Sequence, residues 1–244
     1  MDEARYEVDG NVAVVTLAAA ERSNALTPEL AHALMDVYTR AADDPAVGAL
    51  LLRAEGSAFC AGADLGVIRA AMPDPLETTA FVGIGAIYEM FRRLVAVPIP
   101  TIAAVQGPCV GAGVNLPLAC DVRIVSEEAK FVGFARAGVH PGGGHLELLR
   151  AVDRQAAAWL ALCGQTIDAA ESVRLGLAMR MTSPDTLFEE AMAVARTAAA
   201  DPELARMVTA SFRTIDGARA RHDNAVHVER APQVWSLRRR AGTL

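Results

Sequence analysis

Two rhythms of hydrophobic and polar positions alternate along most of the chain. "YEVDGNVAVVTLAA" reads as two strands joined at Asp9-Gly10-Asn11, where positive φ costs little. Thr27-Pro28 then supplies a helix N-cap followed by proline at the first helical position, and Leu30, Leu34, Val37 and Ala41 form one apolar face. "GALLLRA" is a short apolar run of the kind found in strands covered on both sides. The small-residue stretch "EGSAFCAGADLG" follows it as a loop. Helical spacing returns from Leu76 to Val95, with Phe81, Ile84, Ile87, Tyr88 and Phe91 on one side. "IPTIAAVQG" is a second buried strand, "GAGVNLPLACD" opens a helix, and "VRIVSEEAKFVGF" resumes strand character.

After Pro141 the pattern is mostly helical. Ser183-Pro184 and Asp201-Pro202 each signal a helix start, and the tail from Ala218 is charged, weakly periodic and interrupted by Pro232. Strands alternating with helices predict an α/β body. The division this suggests is a core over residues 1–185 and a helical region over 186–244, which packs on the body or on a neighbouring subunit.

Composition narrows the classes. At 244 residues and 52% hydrophobic, the chain can bury a full core. Net charge is −6, the basic residues are scattered, and Arg238, Arg239 and Arg240 read as a solvated tail, so nucleic-acid binding is not expected. Lys130 is the only lysine, which leaves arginine, backbone N–H groups and helix ends to meet an anion. Cys60, Cys109, Cys120 and Cys163 are widely spaced and predict thiols in a reducing compartment, not a disulfide frame or a metal site. The polar start and the lack of a long apolar run predict a soluble cytoplasmic protein without a membrane span.

The chemistry concentrates in "GPCVGAGVNLPLACD", Gly107 to Asp121. A buried strand entering a glycine turn and then a helix exposes unpaired N–H groups, suited to a phosphate or a developing oxyanion. Gly111-Ala112-Gly113 lacks the third glycine of a dinucleotide fingerprint, and neither a phosphate-loop lysine nor a Gly-x-Ser-x-Gly elbow is present. Alone, the segment serves equally well as a tight turn without function. A second loop of the same kind, "AFCAGADL", also follows a buried strand, and two such loops can converge on one oxygen.

Together with "NAL" at Asn24 to Leu26 and "HPGGG" at His140 to Gly144, these loops resemble the crotonase (enoyl-CoA hydratase/isomerase) superfamily, from about Tyr6 to Met181. The resemblance implies a spiral of ββα turns with a C-terminal helical trimerisation region, giving a homotrimer or hexamer. It implies an acyl-CoA thioester ligand, with coenzyme A as part of the substrate and no separate cofactor or metal. It implies an enzyme of the hydratase, isomerase, hydrolase or lyase kind that stabilises an enolate between two N–H donors, here Ala63 in "CAGAD" and Ala112 in "VGAGVN". The family's ligand contacts fall on the Arg22–Ala25 turn and on Ala61, Gly62, Asp64, Leu65, Gly111, Phe134 and Gly142. Arg22 either meets a CoA phosphate or is an ordinary exposed arginine; Asp64 is expected to order its loop by accepting backbone N–H bonds. Met72 to Gly83 is expected to border the acyl group.

The sequence departs from the family at the two glutamates of its hydratases. The first position is Asn115, and the second falls on Phe134, with Gly133 or Ala135 as neighbouring matches. An amide orients a ligand but carries no proton near neutral pH. His140 and His145 bracket the Pro-Gly-Gly-Gly turn and titrate in the right range to replace the acids, His145 being favoured; otherwise they are turn or capping residues. Glu147 reads as a helix-surface carboxylate. The alternative to an enzyme is an acyl-CoA-binding protein that kept the pocket and lost catalysis.

Overall fold

The computed structural model describes residues 3–241. In chain order its strands are β1 (Ala4–Asp9), β2 (Val12–Leu17), β3 (Ala49–Ala54), β4 (Thr101–Val105), β5 (Pro108–Val110), β6 (Val122–Ser126), β7 (Lys130–Val132), β8 (Thr166–Asp168) and β9 (Arg180–Thr182). Its helices are α1 (Pro28–Asp43), α2 (Leu65–Ala71), α3 (Thr78–Ala96), α4 (Asn115–Ala119), α5 (His145–Leu148), α6 (Arg154–Ala161), α7 (Ala169–Arg174), α8 (Leu187–Ala198), α9 (Pro202–Asp216) and α10 (Ala218–Ala241). The strands form a six-stranded sheet in the order β1-β2-β3-β4-β6-β9 and a smaller one in the order β5-β7-β8.

β1 and β2 form the predicted hairpin, with Asp9 opposite Val12. The other pairs in the large sheet are parallel. Parallel strands must be covered on both faces, and their alternating side chains divide accordingly. Ala13, Val15, Leu17, Leu50 and Leu52 join the main core with the buried faces of α1 and α3. Val12, Val14, Leu51, Ile102 and Ile124 meet Leu187, Met192 and Ala195 of α8 on the other face. α1 starts where the sequence places it: the Thr27 hydroxyl accepts the Leu30 N–H at 3.1 Å, with Pro28 at the first helical position. Its buried stripe includes Leu30, Leu34, Val37 and Ala41, as the spacing predicts.

Several local expectations change. The 122–134 stretch is not one strand; a turn with Ala129 N–H donating to Ser126 O passes the chain from the large sheet to the small one. The region after Pro141 includes two strands, β8 and β9. Ser183 and Pro184 lie in a turn, and α8 begins at Leu187 with Thr186 as N-cap. Phe81 is 42% exposed despite its place on the apolar face of α3, and its ring carries the Arg230 guanidinium at 4.1 Å. α10 continues through Pro232.

α9 docks with its polar side inward. Arg206 donates to Ala42 O at 2.8 Å, Asp44 O at 2.6 Å and Val47 O at 3.1 Å, and Arg213 donates to Val95 O, Val97 O and Ile99 O. These carbonyls close the ends of α1 and α3, where helices leave acceptors unpaired. Leu204, Met207, Val208, Phe212 and Ile215 are left exposed. Among the described residues no helix is long and apolar enough to cross a membrane.

The small sheet reaches the loop after β3 through the isolated parallel bridge Cys60↔Cys109, and that loop reaches the Asn24–Leu26 turn through Leu26↔Ala63. This close lamination tolerates no side chain at Gly113, whose Cβ would lie 2.2 Å from Cys60 O. Gly113→Ala should therefore lower the unfolding free energy by about 1–3 kcal/mol, the usual cost of overpacking. Gly85, inside α3 with open space where a Cβ would point, should respond oppositely, Gly85→Ala gaining about 0.5–1 kcal/mol. Urea unfolding of the two variants measures both.

Candidate active site

The segment after β3 is held along both edges. On one edge Cys60 N–H donates to Pro108 O at 3.2 Å and Cys60 O accepts the Val110 N–H at 3.0 Å. On the other, Ala61 N–H donates to Ser23 O at 2.9 Å, Leu26 N–H to Gly62 O at 2.7 Å, and Asp64 N–H to Leu26 O at 2.9 Å. Leu26 thus bonds the residues flanking Ala63. Ala63 itself pairs with Leu26 as an isolated parallel bridge. Gly62 makes this possible with φ +89°; a Cβ there would lie 2.4 Å from Val110 O and 3.4 Å from the Ala112 nitrogen. The second loop therefore sets its amide beside the residue preceding Ala63. Ala112 is the second residue of the 3₁₀ turn Gly111–Val114, a position whose N–H has no acceptor within the turn.

Buried Asn24 fixes the third strand of this lamination. Its Oδ1 accepts the Ala19 N–H at 3.0 Å, and its Nδ2 donates to Glu55 O at 2.8 Å and Ala58 O at 3.1 Å. Asp64 accepts the N–H groups of Gly66 at 2.7 Å and Val67 at 3.2 Å, starting α2, as expected of a loop-ordering carboxylate.

Asn115 and His145 meet in the interior, both fully buried. Asn115 Nδ2 donates to Gly142 O at 3.0 Å, which leaves Oδ1 facing His145 Nδ1 at 2.8 Å. An amide oxygen only accepts, so the network assigns the His145 proton to Nδ1. Nε2 then carries a bare lone pair, buried and without a hydrogen-bond partner among the described residues. Burial pushes the imidazole down to about 3, so it is neutral at physiological pH. Phe134 stands edge-on to the ring with centroids 4.9 Å apart. A Cβ on Gly111 would contact the Phe134 ring at 4.0 Å, which links the His145 pair to the second amide loop.

The structure thus brings together Gly62, Ala63, Gly111 and Ala112, and beside them Asn115, Phe134, Gly142 and His145. His140 lies apart from the Asn115 pair: its Nδ1 contacts Pro141 O at 2.6 Å and its N–H donates to Ser236 Oγ. Arg22 is neither free nor fully exposed, because it pairs with Glu3 at 2.5 Å. Ala25 is buried in its turn, whereas Ala61 and Leu65 are exposed. Glu147 pairs with Arg221 at 2.7 Å and Arg150 at 3.6 Å, so it is not an uncommitted surface acid. Cys60, Cys109 and Cys120 are buried and Cys163 is exposed, all as free thiols.

A large parallel sheet and a small sheet laminated from successive strand returns make this a crotonase-fold protein. The enoyl-CoA hydratase/isomerase family model matches residues 7–231. A relative from Mycobacterium tuberculosis, "Probable enoyl-CoA hydratase EchA14", is 38% identical over 242 residues, covering 97% of this chain and 93% of the relative. The crystal structure of an enoyl-CoA hydratase/isomerase from Pseudoalteromonas atlantica is 28% identical with a TM-score of 0.85, covering 96% of this chain and 91% of that one. An enoyl-CoA hydratase structure from Bacillus halodurans, 21% identical, shares the fold with a TM-score of 0.88 over 99% of this chain and all of its own. The chain belongs to the enoyl-CoA hydratase/isomerase family.

A histidine buried neutral carries a pH cost. The unfolded chain takes up its proton near pH 6.5 and the folded chain only near 3, so stability is full above about pH 6.5 and is lost as pH falls toward 3. His222, pushed down by burial to about 4, acts in the same direction. His145→Asn should flatten the slope of unfolding free energy between pH 4 and 6 by about 1.4 kcal/mol per pH unit. Urea titrations across that range, variant against wild type, measure the difference.

Proposed function

We propose that the chain is an acyl-CoA enzyme that grips the thioester carbonyl oxygen between the Ala63 and Ala112 N–H groups and stabilises the enolate formed there. One observation carries this reading: Leu26 bonds the Gly62 carbonyl and the Asp64 N–H on either side of Ala63, while the Ala112 nitrogen lies against Gly62. Preorganised amides of this kind act on charge that develops only as the reaction proceeds. Coenzyme A runs along the Arg22–Ala25 turn and past Ala61, Asp64 and Leu65, and its phosphates compete with Glu3 for Arg22.

In this reading His145 is the proton carrier. Its Nε2 takes a proton from the acyl carbon next to the thioester carbonyl, the electron pair moves onto the oxygen held by the two amides, and the proton returns from imidazolium to carbon. The depressed basicity of His145 is no obstacle, because the enolate supplies the counter-charge that burial withholds. Asn115 and Phe134 cannot activate water as a pair of carboxylates would, so the reaction is of the isomerase or lyase kind and not two-acid hydration. A second reading, a non-catalytic acyl-CoA binder, is favoured by the same apolar and amide residues at the acid positions.

The exposed stripe of α9 is the surface on which copies of the chain associate, as a homotrimer or a hexamer. The three buried thiols fit a reducing, cytoplasmic compartment.

A panel of enoyl- and acyl-CoA thioesters followed by mass spectrometry, with calorimetric binding in parallel, separates the two readings. Turnover should fall about 10²–10³-fold in Ala112→Pro, which lacks the N–H, and be abolished in His145→Ala. Binding without conversion of any thioester by the wild type would leave the binder. For the assembly, Phe212→Glu with Ile215→Glu should give monomers by light scattering, whereas an unchanged mass would remove α9 from the interface.

A further inference from the structure

α10 lays a row of side chains on the Gly142–Gly144 turn. His222, Val226, Glu229, Gln233 and Ser236 recur at helical spacing and are all buried. The turn is stripped of side chains to receive them. A Cβ on Gly142 would lie 2.2 Å from Gln233 Nε2, and one on Gly144 would lie 2.2 Å from the His222 ring. Three successive glycines, two of them at φ +75° and +80°, have little stiffness of their own, so something outside the turn must hold its direction.

Glu229 supplies that hold. Its Oε2 accepts the N–H groups of Gly144 at 2.8 Å and His145 at 3.1 Å, and its Oε1 accepts that of Leu146 at 2.8 Å. These are the unpaired amides at the start of α5. The carboxylate is 1% exposed, and no lysine or arginine pairs with it among the described residues. A buried carboxylate held by amide donors is costly to desolvate, and a leucine in its place would pack α10 without that cost. What a leucine cannot do is fix three consecutive amides at once.

We propose that Glu229 is a positioning residue for His145. It pins the backbone from which the imidazole projects, Asn115 pins the ring's rotation, and together they hold the bare Nε2 in one place. The catalytic consequence rests on the reading of His145 as proton carrier; the pinning itself does not.

The test is imidazole ¹⁵N NMR on the full-length histidine-labelled chain, with His145 assigned among the five histidines by His145→Asn. Turnover is measured alongside, with 3-butenoyl-CoA as the probe, followed as its conjugated 2-enoyl isomer forms. Glu229→Ala and Glu229→Gln should replace the single Nδ1–H signature of His145 by a broadened tautomer mixture. They should also lower kcat by about 10- to 100-fold, the scale of a misplaced catalytic group, with KM within about threefold of wild type. Leu237→Ala loosens α10 without touching the turn, and should lower Tm while leaving the His145 signature and kcat intact. Glu229→Gln, nearly isosteric, decides the matter if Glu229→Ala does not fold. An unchanged His145 signature in the Glu229 variants overturns the proposal, as does the same change in Leu237→Ala. A changed signature in an enzyme with no turnover even as wild type retains the pinning and removes the catalytic reading instead.

Discussion

The site depends on one segment, residues 60–64, being hydrogen-bonded along both edges at once. Each such bond contributes only about 1 kcal/mol net, but a buried amide left unmade costs more, so the register is strongly enforced. Once Cys60 is committed to β5 and Gly62 and Asp64 to Leu26, the loop that carries Ala63 is fixed on both sides. The proposed donor is what the lamination leaves over. Close backbone approach is the condition for it, which is why Gly62 and Gly113 stand where any side chain would strike a carbonyl oxygen.

Around this lamination the interior carries more polar groups than an apolar core needs. Asn24 ties the first turn to the loop after β3, Asn115 ties α4 to the glycine turn, and Glu229 ties that turn to α10. Each joins segments distant in sequence through backbone groups, so each fixes a geometry that hydrophobic packing alone would leave loose. His145 Nε2 is the one ring atom of the Asn115–His145 pair left unsatisfied.

Much of the fold was legible in the residues. The β1–β2 hairpin, the cap and stripe of α1 and the doubly covered strands follow from turn chemistry and apolar spacing, because those signals are local. The paired loops were found by motif, and the structure supplies their mutual hydrogen bonding. α10 was legible only as a charged, weakly periodic tail. Its buried face is built of His222, Glu229, Gln233 and Ser236, so a search for apolar periodicity passes over it. Spacing alone, read without regard to polarity, recovers the stripe. Phe81 failed in the opposite sense: its spacing placed it inside, but Arg230 covers its ring at the surface.

The contact between Glu229 and the His145 amide joins residues 84 positions apart in the chain. At about 5–20 residues per second of synthesis, the glycine turn leaves the ribosome on the order of ten seconds before its cap exists. The large sheet has most of its strands by then, but the turn has none of the acceptors that later claim its amides. Assembly of this protein therefore ends, in time, at its candidate site.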